Sequence, residues 1–238
     1  MQIINSIKFI LLFSIIALFS SLTGCVFSSF NAKFDAGYFL TSTPSIPPHS
    51  SQILLVQESG FWIFSRTTLY AMGKKDNHWA MVFEPMKAVI GRNGFAETGG
   101  KREGDGKTPS GIYPLTTIFG YNESVKTQMP YRQTLEDDVW VDDPLADDYN
   151  RWAKKTETKA ASYEMMKRDD ELYKYGVVIG YNTDPVVKGN GSAIFLHVWK
   201  GEGVPTAGCV AVSEKDIVKI IEWLDPTAAP LMIMGIRN

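Results

Sequence analysis

Ser192–Pro226 reads SAIFLHVWKGEGVPTAGCVAVSEKDIVKIIEWLDP, and its punctuation decides the fold. In SAIFLHVW, Ala193, Phe195, His197 and Trp199 fall on one face of an extended chain, and Ile194, Leu196 and Val198 on the other. Both faces are largely apolar, as in a strand packed between layers. KGEGVP is a turn or loop with two glycines, and TAGCVAV is extended again. Ser213, with Asp216 three residues later, makes a start like a capping box. Ile217, Val218, Ile220, Ile221 and Leu224 then form an apolar stripe at helical spacing, which Asp225-Pro226 ends. Strand, loop, strand and helix are the unit expected here.

The same stretch holds His197, the only histidine in the second half of the chain, and Cys209, the only cysteine in its last two thirds. A cysteine needs a base to become a nucleophile at neutral pH. If the chain folds back as a hairpin centred near Gly203, His197 lies opposite Cys209 with Cβ atoms about 5 Å apart. A register shift of one would turn the two to opposite faces. Gly208 frees the backbone before the thiol, so amides of Ala207, Gly208 and Cys209 can converge on an oxyanion, as acyl transfer requires. The competing reading of Cys209 is a buried small hydrophobe.

Outward from this unit, the chain has 238 residues, 45% hydrophobic and 21% charged, enough for one sizeable core. A formal net charge of -2 supplies no basic excess for nucleic acid, and no nucleic-acid module is visible. Ile53 to Gly91 contains the β-branched and aromatic runs ILLVQES, FWIFSRTTLYAMGKK and HWAMVFEPMKAVIG, expected as a meander of antiparallel strands. His78 has no ligand partner at metal-binding spacing and is read as structural. Gly91–Leu115, GRNGFAETGGKREGDGKTPSGIYPL, interleaves seven glycines with charges. It lacks the Gly-Lys-Ser/Thr end of a phosphate loop. Residues 131–175 are acidic and aromatic, then mixed in charge, and are read as an insertion with one or two short helices. Its aspartates Asp137, Asp138, Asp142, Asp143, Asp147 and Asp148 lack EF-hand spacing and read as a solvated rim. PLMIMGI supplies a last buried strand.

The first 24 residues read as a secretory signal, because the apolar run Phe9 to Phe19 is short for a bilayer. Leu22-Thr23-Gly24-Cys25 resembles a bacterial lipobox, which implies lipidation of Cys25 and a membrane anchor. Val26 after it resembles sorting to the outer membrane. Residues 25–51, rich in Ser, Thr and Pro, read as a tether in which His49 is solvated. Lipidation of Cys25 leaves Cys209 a lone thiol. The alternative is an ordinary signal peptidase and a soluble secreted protein.

His197 followed by Thr206-Ala207-Gly208-Cys209, together with GRNGF and KREGDGKTPSGIYPL, resembles the L,D-transpeptidase catalytic-domain (YkuD-like) family of bacterial peptidoglycan enzymes. The similarity runs from about Ile53 to Ile236, interrupted by the insertion. Ala207 stands where many members carry a second histidine, the interval from His197 to Cys209 is shorter than usual, and Ala211 replaces a polar residue. The resemblance implies an α+β, mainly β domain over 52–238: an antiparallel β-sandwich with a helix after the catalytic cysteine and a helical, acidic insertion. It implies Cys209 as nucleophile and His197 as proton donor and acceptor on stem peptides, with Ala207 and Gly208 as backbone oxyanion donors. No metal or other cofactor is implied. Trp199, Tyr113 and Arg92 are candidate substrate contacts, with Thr206 beside them. The acyl acceptor is an amine of a second stem or of an envelope protein. The rivals are an L,D-carboxypeptidase using water, a non-catalytic peptidoglycan-binding lipoprotein, and a Cys-His protease. The expected location is the periplasmic face of the outer membrane.

Overall fold

The apolar runs become strands of one sheet that closes on itself. The computed structural model describes residues 35–41, 43, 45–60 and 65–237, so the expected signal segment and Cys25 lie outside the described residues. Strand β1 (Gln52–Ser59) pairs antiparallel with β2 (Arg66–Lys75), which also pairs antiparallel with β3 (His78–Met81) and β4 (Met86–Val89), as the meander predicts. The long β5 (Gly111–Gly120) carries β6 (Tyr131–Gln133) on its flank and pairs antiparallel with β10 (Tyr175–Ile179). Next come β11 (Phe195–Val198) and β12 (Val210–Val212), the latter pairing back onto β4. The last strand, β13 (Leu231–Arg237), runs parallel to β1 and antiparallel to β5. The order is therefore β1-β13-β5-β10-β11-β12-β4-β2, with β2 returning to β1. Closure pairs every strand of this ring on both sides. The β-rich α+β class holds, but the sheet is mixed: β1–β13, β5–β6 and β11–β12 are parallel.

Helix α2 (Glu214–Trp223) follows the cysteine segment as expected. Ser213 caps it by accepting the Asp216 amide at 3.1 Å, and its hydroxyl donates back to Asp216 Oδ2 at 2.6 Å. The stripe Ile217, Ile220, Ile221 and Leu224 is buried against Leu54, Val177, Leu196 and Val210 in the main core. Part of the expected tether is folded instead: Ala36–Thr41 is a helix, α1, that buries Ala36 and Leu40 and packs on β3. Ala36 and Leu40, four residues apart, share one face of this short helix, a spacing hidden in the polar composition around it. His49 is exposed.

The insertion contains no helix among its described residues. Three short strands, β7 (Asp138–Val141), β8 (Trp152–Lys154) and β9 (Tyr163–Met165), form a separate antiparallel sheet in the order β8-β7-β9. The acidic residues conceal a continuous apolar run, Val139, Trp140 and Val141, with β propensity and every side chain buried. Asp138 belongs to no solvated rim, being 1% exposed. It accepts the Trp152 indole and the Leu135 amide, each at 2.8 Å, and pairs with Lys154 at 3.0 Å and Arg132 at 3.2 Å. Burial alone would raise its carboxyl; these partners hold it below the ordinary range.

A second core joins this small sheet to the outer face of the closed one, with Trp140, Met166 and Tyr173 covering Phe119, Val178, Phe195 and Cys209. Gly176 makes the joint possible. A Cβ there would lie 2.1 Å from the Phe119 ring, which packs edge-on against Phe195 at 5.2 Å and Tyr173 at 5.8 Å.

Candidate active site

The hairpin expected between His197 and Cys209 does not form. Strands β11 and β12 run parallel, so His197 pairs with Ala211 and Leu196 with Val210. The connecting loop is held instead by the glycine-rich segment: Thr206 donates its amide to Ile90 O and accepts the Arg92 amide, each at 2.9 Å. Return across two strands of three and four residues spans only about 10 Å, so a short loop suffices. Cys209, one residue before β12, shares the second core with Phe195.

There the thiol is fixed by backbone. Sγ donates to Ala193 O at 3.2 Å and accepts the Phe195 amide at 3.4 Å. Ala193 is placed in turn by the insertion, for its amide donates to Asn150 Oδ1 at 3.1 Å. Asn150 is buried, also accepts the Trp140 indole at 2.8 Å, and donates to Asn182 O at 2.6 Å. The imidazole is oriented by its own strand, with His197 Nδ1 2.7 Å from Val198 O. A carbonyl only accepts, so the Val198 contact places the proton on Nδ1 and leaves the lone pair on Nε2, with the Leu172 carbonyl also acting on the ring. Tyr173 backs the ring edge-on at 5.2 Å. Cys209 and His197 line one cavity of about 300 Å³.

Burial favours the neutral form of both partners. Burial pushes the Cys209 thiol up to about 12, with the Glu164 charge adding to it, against a smaller pull from the Phe195 amide. Burial also takes His197 down to about 4, despite the Val198 carbonyl. Burial therefore disfavours a thiolate–imidazolium pair at rest.

The glycine-rich segment gains a structural reason. Thr108, fully buried, donates its hydroxyl to Gly208 O at 2.7 Å and accepts the Gly91 amide at 2.9 Å. Gly91 must be glycine, since a Cβ would meet Gly106 O at 2.4 Å. Thr206 closes the turn from the other side, its hydroxyl donating to Cys209 O at 2.7 Å and accepting the Gly208 amide at 3.1 Å. That last bond corrects the oxyanion expectation: the Gly208 amide is already engaged. The amides of Ala207 and Cys209 make no hydrogen bond among the described residues.

Arg92, Thr206 and Ala207 line the cavity. Tyr113 and Trp199 do not. Tyr113 donates to Ser110 O at 2.6 Å and packs on Tyr181, and the Trp199 amide closes the ends of β11 and β12 by donating to Val212 O at 2.8 Å. His78 sits exposed in β3. Sequence reasoning missed Glu164, Arg168 and Tyr173, which reach the cavity from the insertion. The strand alternation of SYEMM was the one available signal, and the helix-compatible composition around it masked it.

The model of the YkuD family, the L,D-transpeptidase catalytic domain, matches residues 63–233, and the chain belongs to this family. No curated protein matches the chain.

Proposed function

We propose that the protein is a peptidoglycan L,D-transpeptidase that works through an acyl-enzyme on Cys209. The thiol attacks the carbonyl between the third and fourth residues of a tetrapeptide stem while its proton passes to His197 Nε2. Carbonyl oxygen charge is received by the amides of Ala207 and Cys209. On collapse the carbon–nitrogen bond breaks, His197 returns the proton to the leaving D-alanine amine, and a thioester remains. An amine of a second stem, or of an envelope protein, then attacks the thioester and restores the thiol. The first acceptor cross-links the wall; the second anchors a protein to it. A lipid on Cys25 would hold the enzyme at the periplasmic face of the outer membrane.

The observation that carries this reading is the shared cavity of the Cys209 thiol and a His197 whose tautomer leaves Nε2 as acceptor. Intact-mass spectrometry with a carbapenem, whose lactam acylates this family's nucleophile, tests it. One adduct mapped to Cys209, lost in Cys209→Ala and much slowed in His197→Ala, is expected. Digests of tetrapeptide muropeptides then separate transfer, which yields dimers, from hydrolysis, which yields tripeptides. Failure of the wild type to release D-alanine from a stem tetrapeptide would overturn the proposal.

A further inference from the structure

Glu164, on β9, brings a carboxylate into the cavity that holds Cys209 and His197. The other charged groups lining that cavity, Arg92, Arg168 and Lys200, are all cations. None of them is ion-paired with Glu164. Arg168 is committed to Asp170, donating through Nε at 2.9 Å and through Nη2 at 2.6 Å, with its guanidinium over the Tyr173 ring at 5.1 Å. Among the described residues the hydrogen bond to the Glu164 carboxylate comes from the Tyr173 hydroxyl, and the same Tyr173 ring abuts His197. A carboxylate in a cleft with a neutral donor and no direct ion pair, Arg168 acting on it only over a distance, is a site for a cation that arrives with the ligand. Burial pushes this carboxyl up, against pulls from Tyr173 and Arg168, which makes it a stronger proton acceptor than an exposed glutamate.

We propose, resting on the reading that Cys209 carries the acyl group, that Glu164 receives the ammonium of the acyl acceptor and removes one proton from it. The insertion is then what selects a primary amine over water. The ammonium gives a proton to the Glu164 carboxylate and becomes the neutral amine. Its nitrogen attacks the thioester carbon, the carbon–nitrogen bond forms, and the carbon–sulfur bond breaks. The second amine proton passes through His197 to the departing sulfur, restoring the thiol. Glu164 then loses its proton to solvent.

The test compares two acceptors for the same Cys209 thioester at pH 7: Nα-acetyl-lysine, a primary ammonium, and hydroxylamine, which is neutral there and needs neither capture nor deprotonation. In Glu164→Gln the ratio of transfer to the lysine over transfer to hydroxylamine should fall at least tenfold relative to the wild type, with partial recovery in Glu164→Asp. A ratio within twofold of the wild type overturns the inference. A wild-type measurement stands beside the variants: the Nε-trimethylated form of the same lysine should inhibit transfer to the lysine, and the analogue with a hydroxyl in place of the ammonium should not. Equal inhibition by both also overturns it. Absence of any thioester on wild-type Cys209 overturns the transpeptidase reading and this inference together, whereas a thioester that forms with an unchanged ratio overturns this inference alone.

Discussion

Replacing Thr108 by valine tests whether the glycine-rich segment holds the cysteine turn. The side chain is fully buried, and its hydroxyl both donates to Gly208 O at 2.7 Å and accepts the Gly91 amide at 2.9 Å. Valine keeps the shape and leaves both backbone groups unpaired. Each such group costs about 1–3 kcal/mol, so Thr108→Val should destabilise the protein by about 4 kcal/mol. Thr108→Ser keeps the hydroxyl and loses one methyl, for about 1 kcal/mol. Urea unfolding followed by tryptophan fluorescence measures both, provided the slopes match. Because Gly208 immediately precedes Cys209, the acylation rate of Cys209 by a carbapenem in the valine variant should fall at least about tenfold even where the protein remains folded. A valine variant within 1 kcal/mol of the wild type, or less destabilised than the serine variant, would refute the reasoning.

Three other outcomes follow from the site. His197 is held down to about 4 against an ordinary 6.5, so the unfolded chain binds a proton that the folded one refuses. Stability present above the unfolded value is thus lost as pH falls from 6.5 to 4, by about 3 kcal/mol; the wild-type minus His197→Gln unfolding free energy should shrink by that amount between pH 7 and pH 4. With the Cys209 thiol pushed up to about 12, its alkylation by iodoacetamide should keep rising through pH 9, and an inflection near neutrality would contradict a resting neutral pair. At pH 7.5 its rate should be on the order of a thousandfold below that of a free cysteine. Asn150→Ala strips partners from the Ala193 amide, the Trp140 indole and Asn182 O, and is expected to cost about 3 kcal/mol or more and to slow acylation, read by thermal unfolding and adduct mass.

The candidate pair and the family were more legible than the topology that brings the pair to one cavity. Cys209 and His197 stood out because a lone thiol, a lone imidazole and a preceding glycine are rare in combination, and the helix after them announced itself through Ser213 and the isoleucine stripe. The parallel pairing of β11 and β12 could not be read locally. Its cause is the capture of Thr206 by Ile90 and Arg92, more than a hundred residues earlier, and a hairpin is the default only when nothing distant competes. Glu164, Arg168 and Tyr173 escaped notice for a related reason: they act through a small sheet whose strands are three or four residues long, too short for periodicity to outweigh charge.

The parallel union of β1 with β13 bears on how the molecule is made. Strand β1 begins near the start of the described domain and β13 supplies its last described residues, so the ring cannot close until the C-terminal end has been delivered. As the chain emerges during synthesis it therefore presents two open edges, β1 and β5, to its surroundings until β13 is delivered. Loss of the residues after Pro230 would make that exposure permanent, turning a closed ring into a substrate for proteases even though His197 and Cys209 are both still encoded.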